Sequence, residues 1–93
     1  QRDLVRQGVA FEHSEPIIVE MEVEPGAPFI GREVRELGLP PGCIIVRCQA
    51  DGREWVPNAT TRLAIHTRIT AVVTPEAAEA LSILRYGCEA GER

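Results

Sequence analysis

The sequence predicts an α+β fold, a small layer of four to five β-strands carrying two short helices. Three observations point there. Apolar and acidic residues alternate strictly over residues 19–23, the period of a half-buried strand. Asp51-Gly52, set between two apolar-rich runs, is a strong hairpin signal. Residues 30–37 and 77–84 space their apolar side chains at helical intervals, and they interleave unevenly with the strands, which argues against a doubly wound parallel sheet.

Taken in order, residues 1–14 mix charged and apolar side chains without a period and read as a linker following a membrane or upstream domain. The domain proper is expected over 15–87. Val19, Met21 and Val23 share one face of the first strand, with Glu20 and Glu22 on the other. Glu24-Pro25-Gly26-Ala27-Pro28 breaks it. Ile30, Val34 and Leu37 then recur at i, i+4 and i+7, a short apolar stripe that leaves Arg32, Glu33, Arg35 and Glu36 towards solvent, and Gly38 suits the position just past the helix end. A Pro40-Pro41-Gly42 turn leads into a strand over 43–50, whose Ile44-Ile45-Val46 is apolar enough to be buried on both faces. Glu54-Trp55-Val56 returns from the Asp51-Gly52 hairpin and Pro57 stops its pairing. A short strand over 63–65 is possible from composition, and one over 68–73 is clearer. Thr74-Pro75-Glu76 has the order of an N-cap, a first-turn proline and an acid favoured by the helix dipole. Ala77, Leu81 and Leu84 form that helix's buried stripe, Gly87 is expected to end it, and 88–93 is expected to be a frayed tail.

At 93 residues this is one small domain. Only four residues are aromatic, so the core is mostly Val, Ile, Leu and Ala. A small module of that kind gains stability by pairing with a copy of itself, and a homodimer is expected. A net charge of −4, with arginines scattered among glutamates, argues against a nucleic-acid partner. With Gln1 in place of an initiator Met, no signal-peptide pattern and no run near the ~20 apolar residues of a membrane helix, the chain is expected to be a soluble piece of a longer protein.

No enzyme constellation is present in the sequence. His13 and His66 sit in no motif, and neither a metalloprotease helix, a nucleophile elbow nor a phosphate loop can be found. Glu20 and Glu22 share a face, but a solvated strand supplies no cleft to drive their acidities apart. We expect no catalysis, no cofactor and no metal site. Cys43, Cys48 and Cys88 lack CxxC spacing; Cys43 and Cys48, five apart on one strand, are expected to face opposite sides. All three read as small apolar filler in a reducing compartment.

The order of motifs from Ile30-Gly31-Arg32, through Glu36-Leu37-Gly38-Leu39-Pro40-Pro41-Gly42, to Asp51-Gly52, Pro57 and Thr74-Pro75-Glu76 resembles the TrkA-C (RCK-C) family over roughly residues 16–86. That resemblance implies a regulatory domain, the cytoplasmic part of a cell-membrane ion channel or transporter, that dimerises and does no chemistry. Within residues 3–12, Asp-Leu-Val-Arg-Gln-Gly-Val-Ala-Phe-Glu is similar to the stretch that follows the last membrane helix in CLC-type chloride channels. It implies a host of that type, with the channel's transmembrane domain in the same chain as partner. The alternatives are the regulatory domain of a potassium channel, a potassium uptake system or a cation–proton antiporter, and, from another class, the effector domain of a transcription regulator.

Some members of the family bind cyclic di-AMP between two copies, through an apolar pair, a helix Arg and a turn Asn. By that resemblance Phe29, Ile30, Val34, Arg35 and Pro41 are the ligand-binding positions here, and the ligand would be a small anion or nucleotide. Pro40-Pro41 stands where the Asn would be, and proline has no side-chain donor. Cyclic di-AMP is therefore expected to bind weakly or not at all, with any anion near Arg35. His66-Thr67 also departs from the Gly-Asp that members usually carry, so that turn is expected to differ in shape.

Overall fold

A computed structural model describes residues 15–90. The expected linker and its CLC-like stretch fall outside them. Strands β1 (Ile17–Glu22), β2 (Cys43–Ala50), β3 (Arg53–Trp55) and β4 (Arg68–Val73) form one antiparallel sheet in the order β1-β4-β2-β3. Among the described residues one helix, α1 (Ala80–Cys88), and two 3₁₀ turns, Val34–Glu36 and Pro75–Ala77, accompany the sheet. The α+β class expected from the sequence holds.

β4 lies between β1 and β2, and its own sequence explains why. Ile69, Ala71 and Val73 are sealed in the core, and Thr70 on the opposite face is also buried. A strand apolar or small on both faces belongs at the centre of a sheet. β1 keeps the predicted alternation, with Ile17, Val19 and Met21 turned to the core and Ile18, Glu20 and Glu22 outward. Val23, Phe29, Leu37, Leu63, Ala77, Ala80, Leu84 and Cys88 close the core over one face of the sheet.

The turns follow their sequences closely. Asp51 and Gly52 both take positive φ, 54° and 76°, giving the two-residue type I′ connection whose twist matches the hairpin strands. In Pro40-Pro41-Gly42-Cys43 the Cys43 N–H donates to the Pro40 carbonyl at 3.2 Å, and Gly42 has φ +97°, as a type II turn requires at its third residue. His66 takes φ +69° in the turn closed by Thr67 N–H on the Ala64 carbonyl, 3.2 Å, a conformation ordinarily left to glycine.

Five expectations are corrected. The helix over 30–37 shrinks to the single 3₁₀ turn, because its backbone donors are used elsewhere: Gly31 N–H reaches the Leu63 carbonyl, Val34 N–H that of Thr61, and Arg35 N–H that of Ala59. Segment 31–35 is thus laced to segment 59–63, and Phe29 rather than Ile30 takes the core position at the head of the stripe. The possible strand over 63–65 does not form; Arg62 makes an isolated bridge to Glu33. β2 is buried on one face only, with Ile44 62% exposed. Cys43 and Cys48 share the core face, because a bulge between Ile45 and Arg47 inserts one residue and reverses the alternation. Finally, Gly87 does not end the last helix: α1 continues to Cys88, which is fully buried, and Ala90 N–H donates to a Glu24 carboxylate oxygen.

Leu37 survives as a core residue and Arg32 is exposed. Leu37→Ala is expected to cost about 2–3 kcal/mol through lost burial and a residual cavity. Arg32→Ala should stay within about 0.5 kcal/mol. Urea denaturation compares them, and equal losses would mean the faces of this segment are misassigned.

Candidate functional site

Residues 33–39 run across the end of β2 and beside the Pro57-Asn58-Ala59 segment, enclosing a groove of about 340 Å³. Val34, Leu39, Ile44 and Pro57 make its apolar walls, and Arg35 and Asn58 bring polar groups to it. β3's pairing ends at Trp55 and Pro57 follows beside the groove, after which Asn58 organises its own loop. Its Oδ1 accepts from Thr60 N–H and Thr60 Oγ1, both at 3.0 Å, and from Thr61 Oγ1 at 3.2 Å. That is an Asx turn, which fixes the amide's orientation. With Oδ1 committed to three donors, the amide NH₂ is the end left to a ligand.

Arg35 does not stand alone. Its Nε donates to Glu33 Oε1, while Arg62 donates through one terminal nitrogen to Glu33 Oε2 at 3.2 Å and through the other to the Gly31 carbonyl at 2.7 Å. Glu33 is held further by its own N–H, which donates to Glu36 Oε1 at 2.9 Å, and its side chain is only 13% exposed. A carboxylate thus lies between two guanidinium groups, in the position an incoming phosphate would seek. Both arginines are mostly exposed, so each contact alone is weak. Together they fix Glu33 where it offsets the positive charge of the site.

A second cavity, about 550 Å³, opens between segment 28–37 and α1, walled by Pro28, Phe29, Leu37, Ile83 and Tyr86. It is the larger, but Arg32, Glu36 and Ser82 contribute its polar groups from exposed positions. In the Arg35 groove the two polar residues, also exposed, are held by hydrogen bonds, Arg35 to Glu33 and Asn58 to Thr60 and Thr61, and fixed polar groups set orientation in a small-molecule site.

A family model for the TrkA-C domain matches residues 18–84, most of the chain. The chain belongs to the TrkA-C domain family. TrkA-C domains are regulatory domains of ion-transport proteins. No curated protein matches the chain.

Of the positions expected to bind ligand in this TrkA-C domain, Val34 and Arg35 line the groove together. Phe29 lines the other cavity and is mostly spent on the core, where its ring lies against Gly87. Ile30 and Pro41 are exposed and line neither cavity. Sequence reasoning missed Asn58 and Glu33. The signal for Asn58 was present, since Pro57-Asn58 sits where a strand must stop; Glu33 carried none, because a helical reading turned it to solvent.

Cys43 lines the Arg35 groove, whereas Cys48, Cys88 and His66 do not. Burial pushes the Cys43 and Cys48 thiols up from their ordinary range, and Cys88 is pushed up to about 11 by burial and then by Glu89 and Glu24. Such thiols are poor nucleophiles near neutrality. His66 Nδ1 lies 2.9 Å from Glu22 Oε2 on the exposed end of the sheet.

Proposed function

We propose that this TrkA-C domain dimerises on the cytoplasmic side of a membrane ion channel or transporter and regulates it, the host being a CLC-type chloride channel. Family membership supports the regulatory role. The likeness of residues 3–12 to the chain that leaves the last membrane helix of CLC-type channels supports the host. A dimeric channel and a dimeric soluble module share one two-fold axis. The domain does no chemistry; a ligand held by one arrangement of the pair more tightly than by another shifts the channel's equilibrium by the difference in affinity.

Full-length protein reconstituted in liposomes tests the host. Chloride efflux is expected, and removing residues 15–90 should change its regulation while leaving ion selectivity unaltered. Potassium flux in place of chloride flux would overturn the reading.

The groove suits a small ligand that meets an apolar wall, the Asn58 amide and a cation already countered by Glu33. Wild-type protein is accordingly expected to bind cyclic di-AMP weakly or not at all. Glu33→Gln releases Arg35 and Arg62 and should raise the affinity about tenfold, the worth of one modest charge-assisted contact. Calorimetry on the wild type, Arg35→Ala, Glu33→Gln and Glu33→Gln/Arg35→Ala reads this directly. Tight binding to the wild type, lost in Arg35→Ala, would show instead that Glu33 yields readily and the groove is a nucleotide sensor.

A further inference from the structure

α1 carries two kinds of side chain on neighbouring sides. Ala80, Leu84, Gly87 and Cys88 are buried in the core. Ser82, Ile83 and Tyr86, the last 75% exposed, lie beside that stripe, and spacings of three and four bring Tyr86 next to the other two. They face residues 28–37 across the cavity of about 550 Å³, a volume inside the roughly 300–1,000 Å³ of small-molecule sites. Phe29 and Leu37, both almost sealed from solvent, make its floor, with Ile83 and Tyr86 at the side. Phe29 lies this deep because Gly87 has no side chain, and its N–H on the Gly87 carbonyl at 2.9 Å ties the two walls together. The cavity is thus held open by fixed packing, which spares a ligand the cost of ordering it.

The polar groups around it are unequal. Arg32 brings the five N–H donors of a guanidinium, and Ser82 and Tyr86 each bring a hydroxyl. Arg35, Arg47, Arg62 and Arg85 each lie against a carboxylate, and Arg53 lies over the Trp55 ring. Among the described residues Arg32 has neither kind of partner. Glu36, the one acid at the cavity, has Oε1 engaged by the Glu33 N–H at 2.9 Å. Donors and a cation beside an apolar floor match a ligand with an apolar body and an anionic end. A single negative charge suits the place better than a phosphate dianion, which Glu36 would repel with Arg32 alone to offset it.

We infer that this cavity binds a free amphipathic monocarboxylate of the medium-chain fatty-acid class, its carboxylate on Arg32 and its alkyl chain along Phe29, Leu37 and Ile83. The site lies apart from the Arg35 groove. It stands or falls independently of the host, the dimer and the nucleotide reading proposed above.

Decanoate is the probe, titrated into the isotopically labelled 93-residue chain and followed by amide NMR shifts. Saturable shifts at Arg32, Leu37, Ile83 and Tyr86 are expected, with a Kd below about 1 mM, within reach of a ligand of about twelve heavy atoms. Arg32→Ala should weaken decanoate about tenfold and leave decanol, which lacks the charge, unchanged; Arg32→Lys should restore part of the loss. Ser82→Trp, introduced at an exposed position, should fill the cavity and abolish binding of both compounds without lowering the melting temperature. Shifts confined to Ile44 and Asn58 would place the carboxylate in the Arg35 groove and overturn the inference. Equal losses of decanoate and decanol in Arg32→Ala, undiminished binding in Ser82→Trp, or no saturable binding to the wild type would overturn it as well.

Discussion

Gly87→Ala is expected to lower the unfolding free energy by about 3 kcal/mol, where the same change in an ordinary helix interior would raise it by up to about 1 kcal/mol. The reversal of sign comes from Phe29. A methyl group built on Gly87 would sit 2.2 Å from Phe29 Cε1 and 2.3 Å from Cζ, far inside contact distance. Retreat is blocked, because Phe29 is buried and its N–H donates to the Gly87 carbonyl at 2.9 Å, tying the two segments at the point of collision. Urea denaturation checks the value, and Phe29→Leu in the Gly87→Ala background should recover part of it by making room. Gly87→Ala as stable as the wild type would mean that the ring turns aside freely and that segment 28–37 is only loosely docked on α1.

Gly42→Ala is expected to cost about 2–4 kcal/mol from two independent causes. The first is conformational, since φ at Gly42 is +97° and a Cβ disfavours that backbone. The second is steric, since the added carbon would lie 2.4 Å from Thr74 Oγ1 and 3.1 Å from the Ala77 Cβ. Gly42 also accepts the Thr74 N–H at 2.9 Å, so the two turns are fastened to each other. The causes separate in a double mutant: Thr74→Ala removes the nearer clash and should return the steric part alone. Full recovery in that background would show that φ strain at residue 42 contributes nothing.

Much of this arrangement was legible because it is local. Asp51-Gly52 and Pro40-Pro41-Gly42 dictate their own turns, and Val19, Met21 and Val23 show their face by period alone. What escaped depended on partners far along the chain. The stripe 30–37 has helical spacing, yet its backbone donors bond to residues 59–63, which no window of that size contains. The inserted residue in β2 is invisible to a period count, so Cys48 was assigned to the wrong side of the strand. Cys88 looked like the start of a tail, since burial at a chain end depends on what the end packs against. The groove was half legible: Arg35 was in view, but Asn58 comes to it only through the lacing of those two segments, and Glu33 acts on it through Arg35.

The place of β4 has a consequence for how the chain comes to be folded. β1 and β2 each pair with β4 and not with each other, so Ile17 waits for Val73 and Cys43 waits for the same residue. During synthesis the chain would have only the β2–β3 hairpin to form before residue 68 emerges, and an isolated hairpin is marginal in water. Closing loops of that length precedes any reward from the sheet, which places this domain among the slower-folding small domains for its size. Until the last strand arrives, Ile18 and Ile44 lie on open strand edges exposed to neighbouring chains. A nascent chain stalled before residue 68 would therefore be a ready substrate for chaperones, whereas one released after residue 88 should close the sheet and dock α1 in a single cooperative step.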